Sequence, residues 1–218
     1  MVLIIALVVL VIVFLLPLKN KHNSARNVSP ILFILSGPSG VGKDTVIRRL
    51  LKEIGDKSLK KIVTTTTRLP RKDEVNGIDY HFVSKEEFFR RIKESEFLEY
   101  ANVHGDYYYG SSRTDVESTL SSGTNALLVI DVAGVEQILK QKNNFRIVTI
   151  FIAPKNLDEL KQRIVGRRSE TAESIAKRLQ TAENEIKKAS MYDHVLISGS
   201  RDEDFMALLE IYKKAQGK

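Results

Sequence analysis

ILFILSGPSGVGKDTVIRRLLKEIG, Ile31 to Gly55, decides the architecture of this 218-residue chain. Ile31 to Ser36 is an apolar run bounded by Pro30 and Gly37, the pattern of a short strand buried on both faces. DTVIRRLLKEIG reads as the helix that follows. Between them lies GPSGVGK, Gly37 to Lys43, which fits the GxxxxGK spacing of a phosphate loop. Its glycines allow a tight fold in which successive N–H groups point at phosphate oxygens near a helix N-terminus. Lys43 then reaches the β and γ phosphates of a nucleoside triphosphate. The triphosphate set is therefore Gly37, Pro38, Ser39, Gly40, Val41, Gly42, Lys43, Asp44 and Thr45. A glycine-rich turn without a ligand is the plain alternative.

One position departs from the loop pattern. Ser or Thr is expected after the lysine, where a hydroxyl ligates magnesium, and this chain has Asp44 followed by Thr45. A carboxylate beside a triphosphate is repelled unless a metal lies between them. Asp44 and Thr45 are thus candidate Mg2+ ligands, and the other reading of Asp44 is an acidic residue at a helix start.

Working outward, Val- and Ile-rich runs recur at Ala126 to Ile130, Ile147 to Ile152 and His194 to Ile197, separated by stretches of helical periodicity. Strand and helix alternation of this kind predicts an α/β fold with a parallel sheet flanked by helices. Ser84 with Glu87, and Asn156 with Glu159, mark helix starts. Between residues 64 and 112 the alternation fails, and short strands and turns rich in Tyr, Arg and Glu predict an inserted subdomain. Asp131 ends the run ALLVI, which suits either an acidic residue near a metal or a helix cap.

Composition narrows the classes. With 43% apolar and 28% charged residues a packed core is expected, and the absence of cysteine excludes a disulfide scaffold, thiolate metal ligation and thiol catalysis. Three of the seven net positive charges, Lys19, Lys21 and Arg26, lie in the acid-free residues 1–27, which leaves +4 on the remainder. That excess suits a cleft gathering phosphates, and aromatics are not interleaved with the basic residues as a base-stacking surface requires, so no nucleic-acid partner is expected.

Residues 2–18, VLIIALVVLVIVFLLPL, form an uncharged apolar run followed by a polar, basic stretch. As a helix these 17 residues reach about 25 Å, against a hydrocarbon thickness of about 30 Å. A single transmembrane tether over residues 1–18 is expected, with residues 19–29 as a basic linker. The positive-inside rule then puts everything after Lys19 in the cytoplasm. Translation starting further down the chain is the alternative.

TTTTRLPRKDEVNGIDYHFVS, Thr64 to Ser84, and EFLEYANVHGDYYYGSS, Glu96 to Ser112, together with the phosphate loop, resemble guanylate kinase, a P-loop nucleoside monophosphate kinase. The resemblance spans about Ile31 to Lys214 and places a kinase domain over residues 30–218. It implies Mg2+-dependent transfer of the γ-phosphoryl group of ATP to GMP or dGMP, giving ADP and GDP. Arg68, Arg71, Tyr80 and Tyr109 match the family's GMP phosphate site, with Tyr108 one position away as the alternative to Tyr109. Guanidinium forks and tyrosine hydroxyls suit a dianionic phosphate. Glu99 matches the residue that accepts the N1–H and exocyclic amine of guanine, and adenine, with an acceptor at N1, would be rejected there. Thr64 and Ser111 match hydroxyl donors to the base, and Glu74 and Asp131 complete the matched GMP set. ELKQRIVGRRSETAESIAKRL, residues 159–179, resembles the mobile lid, whose matching arginines are Arg163, Arg167 and Arg178. Lys43, Arg68, Arg167 and Arg178 are the implied catalytic residues.

Two positions leave the family pattern: Val129 stands where relatives carry an acid two residues before Asp131, and Ser198 where an asparagine approaches adenine. Two other readings share the loop. One is a kinase-dead module that binds a protein partner, but such modules typically lose the phosphate loop present here. The other is a sugar-phosphate kinase, against which the complete set Arg68, Arg71, Glu74, Tyr80 and Glu99 argues.

Overall fold

The computed structural model describes residues 29–103, 107–165 and 172–217. Its centre is β1 (Ile31–Ser36), every residue of which is buried. Five parallel strands form the main sheet in the order β2-β7-β1-β8-β9, with β2 at Leu59–Lys61, β7 at Asn125–Val129, β8 at Arg146–Ala153 and β9 at His194–Ile197. Alternation along β1 divides the core: Ile31, Phe33 and Leu35 face one apolar cluster, Leu32 and Ile34 the other. The first is covered by α1 (Lys43–Ile54) and α7 (Arg201–Ala215), the second by α3 (Arg113–Ser121) and α4 (Val132–Lys140). Each fully buried Ile or Leu contributes roughly 1.5–3 kcal/mol, so a central strand buried on both faces anchors the sheet.

A second sheet, ordered β4-β3-β6-β5, occupies the insert: β3 is Thr65–Thr66, β4 His81–Phe82, β5 Phe97–Val103 and β6 Tyr107–Ser112. The helix α2 (Lys85–Lys93) packs on it through Phe88, whose ring stacks on Phe97 at 4.6 Å. The chain then continues through α5 (Leu157–Val165) and α6 (Ala172–Lys187) before β9 and α7. Helix starts follow the expected chemistry. Ser84 accepts the Glu87 N–H at 3.2 Å and Asn156 accepts the Glu159 N–H at 2.8 Å, while Ser200 and Glu203 make a reciprocal capping box.

Because the main sheet is parallel, β1, β7, β8 and β9 all end on one edge, and the loops after them open there. Among the described residues no helix is long and apolar enough to cross a membrane. The apolar run at residues 2–18 lies outside the described residues, as does Arg167.

Candidate active site

The phosphate loop leaves β1 at that edge. Gly37 has φ 143°, and a Cβ there would lie 2.3 Å from the Ile152 carbonyl oxygen of β8, so only glycine lets the loop pass this close to the neighbouring strand. Gly42 caps α1 in the left-handed region at φ 110°. The Lys43 ammonium donates to the carbonyls of Gly37 and Pro38, which holds it across the mouth of the loop. Arg163 of α5 donates to Val41 O at 3.1 Å from the other side.

A cavity of about 570 Å³ opens in front of this loop. Gly37, Ser39, Lys43 and Asp44 form one wall; Thr64, Tyr80, Glu99 and Tyr109 of the insert form the opposite one. Val129, the last residue of β7, Asp131 just beyond it and Arg178 of α6 line the cavity as well. Pro38, Gly40, Val41, Gly42 and Thr45 shape the loop without lining the cavity.

Arg68, Arg71, Glu74 and Ser111 do not line the cavity, but Arg68 and Ser111 hydrogen-bond to lining residues and Glu74 holds Arg68. Glu74 Oε1 accepts from an Arg68 guanidinium nitrogen at 2.8 Å, and its Oε2 accepts the Arg71 backbone N–H at 2.8 Å. Arg68 Nε donates to the Tyr109 hydroxyl at 3.3 Å, and its guanidinium carbon lies 5.4 Å from the Tyr80 ring centroid and 5.8 Å from that of Phe82. Burial works against the Arg68 charge, but the hydrogen bonds to Glu74 and Tyr109 more than offset it, and its pKa rises. The hydrogen bond from Arg68 holds the Glu74 carboxyl below the usual carboxylate range. Burial raises the Tyr80 phenol, with Tyr109 and Asp44 adding to the effect. The Arg71 side chain is 70% exposed, with its guanidinium 3.8 Å from Glu74. Tyr109 therefore belongs to the cavity, while Tyr108 packs against Phe88 and Phe89.

Glu99 is only 3% exposed. A register shift between Phe97 and Glu99, where two residues of β5 oppose one of β6, breaks the two-residue alternation, so that Phe97, Leu98 and Glu99 are all buried. The bulge thus turns a carboxylate inward. Glu99 Oε1 accepts the Ser111 hydroxyl at 2.6 Å. Burial pushes its carboxyl up to about 7, opposed by the Ser111 hydrogen bond and reinforced by Asp131. Asp131 caps α4, its Oδ1 accepting the Gly134 N–H at 2.8 Å, and lines the cavity as well. Ser198 is buried and donates to Asp204 at 2.9 Å, away from the cavity wall.

Sequence reasoning missed Lys61, Asp79, Asn102, Lys177, Thr181 and Glu185, all on the cavity wall. For the last three a signal existed: with Arg178 they recur at i, i+1, i+4 and i+8, one face of a helix. Burial raises the Glu185 carboxyl, against the pull of Lys43 and with Asp131 adding to it.

A phosphate loop at the carboxyl edge of a parallel sheet, sharing one cavity with a buried carboxylate and with a tyrosine that a braced arginine holds, is the layout of a nucleotide phosphotransferase. The family model described as guanylate kinase matches residues 29–215. The guanylate kinase of Clostridium perfringens (strain SM101 / Type A) is 42% identical over 182 residues, covering 83% of this chain and 81% of that one. That of Campylobacter jejuni (strain RM1221) is 41% identical over 180 residues, covering 83% and 86%. The crystal structure of guanylate kinase from Anaplasma phagocytophilum superposes with a TM-score of 0.71 at 31% identity, covering 88% of each chain. The chain belongs to the guanylate kinase family.

Proposed function

We propose that this chain transfers the γ-phosphoryl group of ATP to GMP, and to dGMP, giving ADP and GDP. The observation that carries this reading is the single cavity with a phosphate loop on one wall and Thr64, Tyr80, Glu99 and Tyr109 on the other. On this reading the loop from Gly37 to Thr45 holds the triphosphate, Lys43 on its β and γ oxygens. Arg68, Arg71, Tyr80 and Tyr109 hold the GMP phosphate, with Glu74 fixing the fork of Arg68. Thr64, Glu99, Ser111 and Asp131 read guanine.

Chemistry at the cavity is positioning and charge neutralisation. The attacking oxygen belongs to a phosphate whose second proton leaves near pH 6, at about 6, so it is already ionised and needs no general base. Arg68 and Arg178 flank the transferring group, joined by Arg163 and Arg167 from the lid over residues 159–179, and stabilise charge spreading over its oxygens. Magnesium asks for only one or two protein oxygens beside the phosphates, and Asp44 on the cavity wall, followed by Thr45, fits that demand. When bound, the ion neutralises charge on the β and γ phosphates.

The test is a coupled assay of the purified full chain with ATP and GMP, dGMP, AMP, UMP or ribose bisphosphate. GMP and dGMP are expected to react and the others not; phosphorylation of AMP at a comparable rate would overturn the role of Glu99. Lys43→Ala removes a contact that strengthens in the transition state, and a loss on the order of a thousandfold in kcat is expected. Wild-type rates in that variant would remove the role given to Lys43, and no turnover of any acceptor by the wild-type chain would point to a binding module instead.

The location follows from residues 1–29. Residues 2–18 act as one membrane tether, and Lys19, Lys21 and Arg26 keep the kinase domain of residues 30–218 on the cytoplasmic side, where ATP and GMP are found. Fractionating native cells and sequencing the mature N-terminus tests this: a soluble protein starting near Val28 overturns the tether.

A further inference from the structure

We propose that Gly134, in the first turn of α4, is a positioning residue for guanine selection: its missing side chain is the space in which the Glu99 carboxylate sits. The inference rests on the reading of Glu99 given above. A Cβ built on Gly134 would lie 2.5 Å from Glu99 Oε2, closer than real contacts of that kind, and a tight 3.1 Å from its carboxyl carbon. The helix itself has no need of glycine there. Gly134 is absent from the positive-φ residues, and alanine is the better helix former. What glycine supplies is room.

The clash falls on the Glu99 carboxylate; the other neighbour, Ile130 Cδ1, would lie at 3.2 Å, tight by a few tenths of an ångström. Gln137 of α4 donates to Tyr100 O at 2.6 Å and accepts the Tyr100 N–H at 3.2 Å, while Gln141 donates to Leu98 O at 2.8 Å. These bonds clamp α4 to β5 on both sides of Glu99, so neither backbone withdraws easily. The Asp131 cap on the Gly134 N–H fixes the turn from the other end. The end of the Glu99 side chain is the movable part, and a methyl at position 134 displaces it from Ser111 and from the cavity wall. The fold then keeps its packing while the guanine acceptors lose their place.

Gly134→Ala in the full chain tests this. KM for GMP is expected to rise about tenfold or more, and the preference for GMP over AMP to fall, because a misplaced acceptor pair loses two hydrogen bonds. KM for ATP, kcat at saturating GMP and the melting temperature are expected to stay close to wild type. Combining Gly134→Ala with Glu99→Asp, which withdraws the carboxylate by one methylene, should recover part of the loss, so that Glu99→Asp is less harmful in the alanine background than alone. An unchanged KM for GMP in a folded variant overturns the proposal. So does an unfolded variant, or an equal loss in every kinetic parameter, since the backbone rather than Glu99 would then absorb the clash. Glu99→Gln in the Gly134 background separates the two levels: if it leaves KM for GMP unchanged, the reading of Glu99 fails and the inference with it.

Discussion

Glu99 shows how a residue can be legible in place and hidden in state. Its place in EFLEYANVHG pointed to guanine, but its pKa depends on the β5 bulge and on Asp131 across the fold, which no local pattern encodes. The sign of the consequence is fixed. Guanine presents two donors, so only the ionised carboxylate accepts both. With the carboxyl pushed up to about 7, KM for GMP is expected to rise as pH falls through 7, approaching tenfold per pH unit below it. Comparing wild type with Glu99→Gln between about pH 6.5 and 8 keeps clear of the GMP phosphate, which titrates near 6; a flat wild-type profile would refute the shift. The same shift makes this group erode the stability of the fold as pH rises from 4.5 toward 7, because the folded chain holds the proton that the unfolded chain has already released. Asp44 makes a second prediction at this scale. If its carboxylate holds magnesium, Asp44→Ser should keep activity and alter the Mg2+ concentration for half-maximal rate; an unchanged magnesium curve would assign Asp44 to the helix start alone.

Elements differ in how much their own sequence reveals. β1 was readable to the residue, since a continuous apolar run buried on both faces carries its own signal, and β9, an edge strand with Val195 and Ile197 exposed, was readable from its β-branched run alone. β2 was not: LKK is three residues long with two lysines, and it becomes a strand only because β7 offers an edge. Glu74 was likewise opaque, because its work is to hold Arg68 and the Arg71 N–H, a relation that exists only once the loop from Thr67 to Glu74 folds. The helix α6 was recognised by Arg178 but not by its face. Lys177, Arg178, Thr181 and Glu185 line the cavity together, so the helix presents two cations at one end of its face and an acid two turns further on. Arg178 on that face is expected to act on the transferring group rather than on guanine. Arg178→Ala should therefore lower kcat by about a hundredfold or more while KM for GMP moves little. A matching rise in KM for GMP with kcat preserved would place Arg178 in substrate binding instead.

At the scale of the whole molecule, two sheets with different logic share one cavity. The parallel sheet delivers the phosphate loop and Asp131 from its carboxyl edge, and the small mixed sheet carries Glu99 and Tyr109, with Thr64 and Tyr80 beside it. The main sheet was legible because its periodicity is local; the union of the two was not, because it depends on contacts between segments far apart in sequence. A common cavity has a measurable consequence that two separate sites lack. A bisubstrate molecule joining adenosine to guanosine through a chain of phosphates should occupy both walls at once, and the second contact then forms at the high effective concentration set by the linker. It is expected to inhibit competitively against ATP and against GMP, to bind more tightly than either nucleotide by about a hundredfold or more, and to raise the melting temperature above the increment of each alone. Competition with only one of the two substrates would mean that the walls do not engage a single ligand together, and that the cavity is not the shared site of transfer.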